Sequence, residues 1–337
     1  MTRSHQTLAA LHLPFIGPFI GPVIVLLAAS LALSGCTTET VRPSTSPDQH
    51  SSIDNCGVEV PITAAPTRVI TIKSTSTQML LALGLQDRIV GTAFQDGPVP
   101  AKWASAASGI PVLADKVPSQ EVVLDANPDF IYAGWESNFS VDGAGTREDL
   151  AGLGIRTYVS PSACKEAAYQ PSRLTFADID QEIGQVAELF GVDDSALLAE
   201  QRATLDAIQK DTRGLTALWF SSGSDIPYVG AGIGAPQLIL DTIGVRNIAA
   251  DVKDTWASYN WESVIAANPD IIVLVDASWS TVEKKIGVME SNPATAKLDA
   301  VKFHRYLVVP FAASEAGVST VDAASDLAAQ LKALSLD

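Results

Sequence analysis

The chain has 337 residues, of which 47% are apolar, so it can form about two domains with hydrophobic cores. It carries 22 Lys and Arg against 38 Asp and Glu, which gives a formal net charge of −16. This acidic balance argues against nucleic acid and against an anionic membrane surface as partners, because both attract basic proteins.

The first 35 residues predict a signal for export. An apolar run from about Val23 to Leu33 follows Arg3 and ends in Leu-Ser-Gly-Cys at Cys36. The run is shorter than the ~20 residues that a bilayer crossing needs, although an uncleaved transmembrane anchor is the alternative. The Leu-Ser-Gly-Cys sequence resembles the bacterial lipobox, in which the cysteine is lipidated and becomes the new N-terminus. We therefore expect a signal peptide over residues 1–35 and an extracytoplasmic protein that is anchored to the cell membrane through lipid on Cys36.

A Ser-, Thr- and Pro-rich segment follows, and it predicts a mobile tether over residues 36–54. Such a composition cannot bury enough apolar surface to offset the entropy lost on ordering. Two cysteines remain after the tether, Cys56 and Cys164. In an exported protein two such cysteines most often form a disulfide, and two free buried thiols are the alternative.

Four elements recur in the same order in the two halves of the chain, which predicts a duplicated α/β unit. Each half has a buried strand, a helix that stops at a glycine, an Ala-Asn-Pro-Asp unit and a further strand. The residue before proline disfavours helix, so Asn127 and Asn268 should each end one. The apolar run after each Asn-Pro-Asp is typical of a strand covered on both faces. The predicted fold class is α/β, with two similar lobes that contain mainly parallel sheets.

The segment between the halves predicts bridging helices over residues 173–213. Apolar residues recur at helical spacing on both sides of a Gly-Val-Asp-Asp break, and the second helix should run from Asp194 to Asp211. The predicted lobes are then residues 55–172 and 214–337. One long rigid helix between two lobes predicts modest lobe motion when a ligand binds.

Loops that follow the predicted strands should form a ligand cleft, because ligands of open α/β sheets bind beyond the carboxyl ends of the strands. Aromatic residues are concentrated in these loops, which favours a ring-stacking or broad apolar site over ordinary packing. The candidate aromatic ligand-binding residues are Trp135, Phe139, Tyr169, Tyr228, Trp256, Tyr259, Trp279 and Phe311.

Two loops before helices suit an anionic part of a ligand. Gly-Ala-Gly-Ile-Gly-Ala, which contains Gly232, could offer backbone amides at a helix N-terminus. Lys73, Ser74 and Thr75 occupy the equivalent place in the first half. Simple helix capping is the alternative for both loops. The match of the second loop to a dinucleotide fingerprint is weak, because the tight first turn of that motif is not evident.

Signatures of catalysis are scarce in this sequence. His5 and His12 fall in the signal segment and His50 in the tether, so only His304 belongs to the predicted folded body. A multi-histidine metal site is therefore excluded, and no metal or resident cofactor is expected. We expect a binding protein that is not an enzyme. An exported α/β hydrolase that uses His304 and a lipoprotein that scaffolds surface proteins are the alternatives.

The combination of a lipobox, two like α/β lobes, a bridging helix and a Glu…Pro-Asp phrase in each lobe resembles the class III substrate-binding proteins of ABC importers. This is the ferric-siderophore, haem and cobalamin type, and the resemblance runs from about Cys56 to the C-terminus. It implies a monomer that delivers a small molecule to a permease dimer with its ATPase. In that family one surface glutamate per lobe docks onto permease arginines, and the matching residues here are Glu121 and Glu262. Solvated glutamates favoured by the helix dipole are the alternative.

More narrowly, the segments TIKSTSTQMLLALGLQDRIVG, YAGWESNF, SPSACKE and VGAGIGAPQ look similar to an actinobacterial subgroup that is proposed to import a precursor of the 5-deazaflavin coenzyme. That resemblance implies a ligand with a flat ring, a ribityl chain and a phosphodiester-linked acid. The loop aromatics, Lys73, Lys165 and the glycine-rich amides would suit it. The alternatives across the family are a ferric siderophore, a corrinoid or haem.

Overall fold

The structure is a computed structural model that describes residues 51–335. The predicted signal peptide, the lipidation site at Cys36 and most of the predicted tether lie outside the described residues. Within residues 51–335, no helix is both long enough and apolar enough to cross a bilayer.

The described chain begins with a hairpin of β1 (Ser52–Asn55) and β2 (Val58–Pro61), which pair antiparallel. The tether was predicted to extend to residue 54, but its last three residues belong to β1. The physical reason is alternate burial: Ile53 is 7% exposed and Asn55 is 1% exposed, so this strand has its own inward face.

The N-terminal lobe contains a five-stranded sheet in which all pairs are parallel, with the order β5-β4-β3-β6-β7. Its central strands are buried on both faces, as the continuous apolar runs predict. The strands are β3 (Val69–Ile72), β4 (Ile89–Ala93), β5 (Val112–Ala114), β6 (Phe130–Ala133) and β7 (Arg156–Val159). The helices are α1 (Ser74–Ala82), α2 (Ala104–Ala107), α3 (Gln120–Asp125) and α4 (Arg147–Gly152).

Two consecutive helices, α5 (Phe176–Phe190) and α6 (Ser195–Ala207), follow the N-terminal lobe. The predicted break between them is confirmed, because Gly191 ends α5 in the left-handed conformation with φ of 65°. The second helix ends four residues before the predicted Asp211. The backbone N–H of Asp211 instead donates to the carbonyl of Ile243, which ties this segment to the second lobe.

The C-terminal lobe contains a mixed six-stranded sheet with the order β11-β9-β8-β12-β13, and β10 also pairs with β8. Strands β8, β10, β12 and β13 pair in parallel, whereas β9 and β11 are antiparallel to their neighbours. The strands are β8 (Thr216–Ser222), β9 (Tyr228–Gly230), β10 (Arg246–Asn247), β11 (Trp256–Ser258), β12 (Ile271–Asp276) and β13 (Tyr306–Pro310). The helices are α7 (Ala235–Ile243), α8 (Trp261–Ala267), α9 (Val282–Ser291), α10 (Asp299–Lys302) and α11 (Thr320–Ala333).

The Asn-Pro-Asp unit has the same geometry in both lobes. Asn127 and Asn268 end α3 and α8 with φ of 48° and 40°, as predicted. The Asp129 carboxylate accepts backbone N–H bonds from the two residues that precede β3. In the second lobe the Asp270 carboxylate accepts the backbone N–H of Thr216, at the start of β8. In each lobe the aspartate therefore joins the strand that follows it, β6 or β12, to the start of the neighbouring strand, β3 or β8.

The hydrophobic core of the N-terminal lobe also includes residues of the C-terminal lobe. Helix α5 packs against β3, β6 and α1, and the same cluster contains Ala235 from α7 and Val318 from the loop before α11. Val318 is 1% exposed. The two lobes therefore share buried apolar contacts beside the bridging helices.

Candidate functional site

A cavity of about 880 Å³ lies between the two lobes, at the carboxyl ends of the parallel strands. The residues that follow β3, β4 and β6 line it from the N-terminal lobe. The end of β8 and the residues that follow β12 and β13 line it from the other lobe. Its size is typical of a pocket for a cofactor-sized molecule. The predicted position of the cleft agrees with this cavity.

Eight of the predicted ligand-binding residues line this cavity. They are Lys73, Thr75, Trp135, Lys165, Tyr228, Trp256, Trp279 and Phe311. The C-terminal lobe supplies an aromatic wall, in which the rings of Trp256 and Phe311 stack with centroids 5.8 Å apart and planes 22° apart. Tyr228 continues the stack on Trp256, and Trp279 meets the Phe311 ring edge-on at 5.4 Å. This wall suits a flat or broad apolar ligand.

The ammonium of Lys73 is paired with a carboxylate of the protein itself. Its side chain is 1% exposed and its ammonium forms an ion pair with Asp96. The ammonium nitrogen also lies 4.3 Å, 3.9 Å and 5.0 Å from the ring centroids of Phe94, Trp135 and Phe311. These are cation–π distances, so Lys73 is surrounded by aromatic rings of both lobes.

The predicted anion site in the N-terminal lobe is already filled by Asp96. The Asp96 carboxylate accepts the backbone N–H of Ser74 at 3.3 Å, and the Ser74 hydroxyl accepts the backbone N–H of Asp96 at 2.8 Å. Ser74 is not among the residues that line the cavity, and its amide and hydroxyl are bonded to Asp96. The chain's own carboxylate caps α1 where an anionic ligand was expected.

The glycine-rich loop of the C-terminal lobe uses three of its amides within the protein, while Ile233, Gly234 and Ala235 line the cavity at the start of α7. The N–H groups of Ala231, Gly232 and Ile233 donate to backbone carbonyls within residues 252–255 at 2.9–3.1 Å. A Cβ on Gly232 would lie 2.0 Å from the carbonyl oxygen of Ala250. Gly232 therefore permits close contact between two loops and is not among the residues that line the cavity.

Three of the predicted aromatic residues lie away from the cavity. Phe139 is 6% exposed and packs in the core of the N-terminal lobe. Tyr259 packs against the core of the C-terminal lobe and donates its hydroxyl to the carbonyl of Ile248. Tyr169 lines a second, smaller cavity of about 280 Å³ and lies against Gly57. Phe139 and Tyr259 therefore pack within their lobes, and a ligand contact of Tyr169 stays a prediction.

Glu315 is a residue of the cavity that the sequence did not single out. Its carboxylate accepts the indole N–H of Trp135 from one lobe and, at 3.2 Å, the indole N–H of Trp256 from the other. Burial raises the pKa of Glu315 to about 7, and Asp96 adds to this, whereas Lys73 and the two indoles lower it. Its loop was predicted to face the cleft, but sequence alone does not distinguish this carboxylate from those on the surface.

The outer part of the cavity is lined by charged side chains and by the disulfide. Asp115, Lys116 and Lys165 are exposed there. Cys56 and Cys164 form the predicted disulfide, with Cα atoms 5.4 Å apart and 108 residues between them in sequence. It connects the β1–β2 turn to the cavity wall, because Cys164 lines the cavity.

Glu121 and Glu262 occupy equivalent positions in the two lobes. Each is the second residue of its helix, α3 or α8, and each is exposed. Both helices lead into a strand of the parallel sheets, so their first turns lie at the same edge of the sheets as the cavity. Contact with a permease stays a prediction at these positions.

His304 is remote from the cavity. It precedes β13, whereas the cavity lies beyond the other end of that strand, and its side chain is 69% exposed and 3.8 Å from Glu290. Within the part of the chain that the structure describes, no three His, Cys, Asp or Glu side chains are grouped so that they could hold a metal ion.

Known proteins match this chain over most of its length. The family described as periplasmic binding protein matches residues 69–313. An uncharacterized ABC transporter substrate-binding lipoprotein of Bacillus subtilis, YvrC, is 25% identical over 320 residues, which are 90% of this chain and 94% of the relative.

Two solved structures support the same assignment. A periplasmic binding protein from Veillonella parvula superposes with a TM-score of 0.74 at 28% identity, over 84% of this chain and 98% of that one. An ABC-type Fe3+-hydroxamate transport system from Saccharomonospora viridis has a TM-score of 0.72 at 24% identity, over 84% and 99%, and so shows the shared fold. Since the family match covers more than half of the sequence, this chain belongs to the periplasmic binding protein family.

Proposed function

We propose that this chain is the substrate-binding lipoprotein of an ABC importer and captures a flat-ring cofactor precursor of the deazaflavin type between its lobes. The observation that carries the proposal is the aromatic cavity, in which Trp256 and Phe311 stack on one side and Trp135 faces them from the other lobe. The name of the Bacillus relative supports the transport role. The protein binds and releases its ligand, and it needs no resident cofactor.

Haem is a weaker candidate than a metal-free ring. Haem iron takes an axial His, Cys, Met or Tyr ligand. Among the described residues that line the cavity, Tyr228 is the one such side chain besides the disulfide-bonded Cys164. Burial raises the pKa of Tyr228, and Asp254 and Glu315 raise it further, so the phenolate that iron prefers is disfavoured.

A ferric siderophore is the second candidate. The structural neighbour from Saccharomonospora is described as part of an Fe3+-hydroxamate transport system, and a chelate of that kind brings its own iron ligands. A cavity that lacks metal-ligating clusters among the described residues is compatible with it. The edge-to-face and stacked rings favour the flat ligand.

Delivery would take place at the membrane surface. The lipid on Cys36 would hold the protein there, and Glu121 and Glu262 would each meet one half of a twofold permease, because equivalent carboxylates on two similar lobes match a partner with the same symmetry. The hydrolase alternative is weakened, since His304 lies at the edge of the sheet away from the cavity.

Native mass spectrometry and an absorption spectrum of the protein purified from its own host test the ligand class. A bound organic molecule with a near-ultraviolet or visible ring absorption and no iron supports the proposal, whereas stoichiometric iron replaces it with the siderophore. Trp256→Ala should weaken binding of 5-deazariboflavin about tenfold or more, because it removes one stacking ring. Phe303→Ala, at an exposed ring that does not line the cavity, is the matched control.

A further inference from the structure

Glu315 lies where the two lobes meet inside the cavity. The two indole N–H groups that it accepts come from Trp135 in the N-terminal lobe and from Trp256 in the C-terminal lobe. A carboxylate has about four lone-pair sites on its two oxygens, so each oxygen can accept a further hydrogen bond. Since Glu315 lines the cavity, a ligand can supply those donors.

The charges around Glu315 leave this part of the cavity with a surplus of negative charge. The cation that acts on Glu315 is Lys73, and Lys73 is already in a buried ion pair with Asp96. Two carboxylates therefore interact with one ammonium, and of the two Asp96 forms the ion pair. Above pH 7, where Glu315 is ionised, an anionic group of a ligand would be repelled here, whereas an N–H donor would gain a charge-assisted hydrogen bond.

The outer part of the cavity has a different charge. Lys116 and Lys165 are exposed there together with Asp115, and the Glu136 carboxylate accepts the backbone N–H of Lys165. The aromatic wall of Trp256, Phe311 and Trp279 lines the same cavity. The cavity therefore combines a less exposed acceptor, aromatic rings and exposed ammonium groups among its lining residues.

We infer that Glu315 is the specificity-determining residue of this cavity and selects a flat heteroaromatic ring whose inner edge carries an N–H donor, with any acidic tail directed toward Lys116 and Lys165. The inference rests on the proposed function, because it specifies how the same cavity holds its ligand. A dioxopyrimidine edge, with one imide N–H between two carbonyls, is an example of such a donor.

The test compares two probes in the wild-type protein and in Glu315→Gln. The probes are 5-deazariboflavin and its N3-methyl derivative, which lacks the imide N–H. In the wild type, methylation should weaken binding roughly tenfold or more, the value of a hydrogen bond to a charged group. In Glu315→Gln the same methylation should cost at least about threefold less than in the wild type, because a neutral acceptor replaces the charged one. Glu200→Gln, at an exposed position on α6, is the matched control and should keep the wild-type ratio.

The possible outcomes separate this inference from the proposed function. Steric effects of the methyl group appear in both proteins and cancel when the two ratios are compared. If wild type binds both probes equally, or if both proteins show the same ratio, the role of Glu315 is refuted while the ring-binding function stands. If wild type binds neither probe, the proposed ligand class fails, and the role of Glu315 fails with it. Should Glu315→Gln not fold, Glu315→Ala takes its place in the same comparison, because it also removes the carboxylate.

The direction of the ligand has its own measurement. 5-Deazariboflavin 5′-phosphate should bind at least about threefold more tightly than 5-deazariboflavin at low salt, because its phosphate meets two exposed ammonium groups. In Lys116→Gln/Lys165→Gln this gain should disappear. A gain of the same size in the double variant would overturn the assigned direction.

Discussion

Glu182, in the middle of α5, is a buried carboxylate whose protonation should make stability depend on pH. It is 3% exposed and accepts hydroxyl hydrogen bonds from Tyr132 at 2.5 Å and from Ser160 at 2.7 Å. Burial raises its pKa to about 7, and the two hydroxyl groups lower it by a smaller amount. Replacement by Gln keeps a carbonyl oxygen for the hydroxyl donors and removes the titration.

The sign and the size of the effect follow from this pKa. Because the folded protein holds the proton of Glu182 up to about pH 7 and the unfolded chain loses it near pH 4.5, the stabilisation is complete below pH 4.5. It is lost as the pH rises to about 7. The rise in pKa corresponds to about 3 kcal/mol. The free energy of unfolding of Glu182→Gln, relative to wild type, should therefore increase by up to about 3 kcal/mol from pH 4.5 to pH 8.

Urea unfolding of both proteins at pH 4.5, 6, 7 and 8, with the disulfide intact, measures this difference. Glu315 also has a raised pKa, but it is present in both proteins and its contribution cancels in the comparison. Glu188→Gln, at an exposed position on the same helix, is the matched control and should show no trend. A difference between Glu182→Gln and wild type that stays constant with pH would refute the reasoning.

Three further predictions concern other parts of the molecule. Glu121→Arg with Glu262→Arg should abolish uptake and stimulation of the permease ATPase while 5-deazariboflavin affinity stays unchanged; unchanged uptake would remove the docking assignment. Lys285 is 1% exposed and donates hydrogen bonds to the carbonyl and hydroxyl of Ser280, so it anchors the loop that carries Trp279. Lys285→Met should therefore speed backbone hydrogen exchange in that loop, and unaltered exchange would contradict this role. Asp129→Ala should lower the free energy of unfolding by about 1–2 kcal/mol in urea because strand-start hydrogen bonds are lost, and an effect near zero would contradict that role.

The fold could be predicted well because its signals are local and repeated. The Asn-Pro-Asp phrases end helices at Asn127 and Asn268 through the steric effect of proline, and the next strands are apolar because both faces are covered. Where the prediction was wrong, the cause was a contact with a distant segment. The second bridging helix ends before Asp211 because that residue bonds to the backbone of α7.

The site was predicted in part for the same reason. Strand order places aromatic loops at one edge, so residues such as Trp256 and Phe311 could be assigned to the cleft. The anion loops could not be judged from sequence, since their amides are used by segments far along the chain. Asp96 caps α1 from 22 residues away, and residues 252–255 accept the amides near Gly232. Glu315 was missed because its environment requires indoles from both lobes.

The sequence predicted that one long helix between the lobes restrains their motion, but the structure offers a different restraint. Two helices with a break at Gly191 connect the lobes, so stiffness of one long helix does not supply the restraint. The segment just before α11 supplies the restraint instead, because Val318 is buried in the core of the N-terminal lobe. Next to it, the Ser319 hydroxyl donates to the Gln78 side chain of α1 at 2.7 Å in a buried contact. Wide opening would expose this apolar surface and leave polar groups unpaired, and both cost free energy.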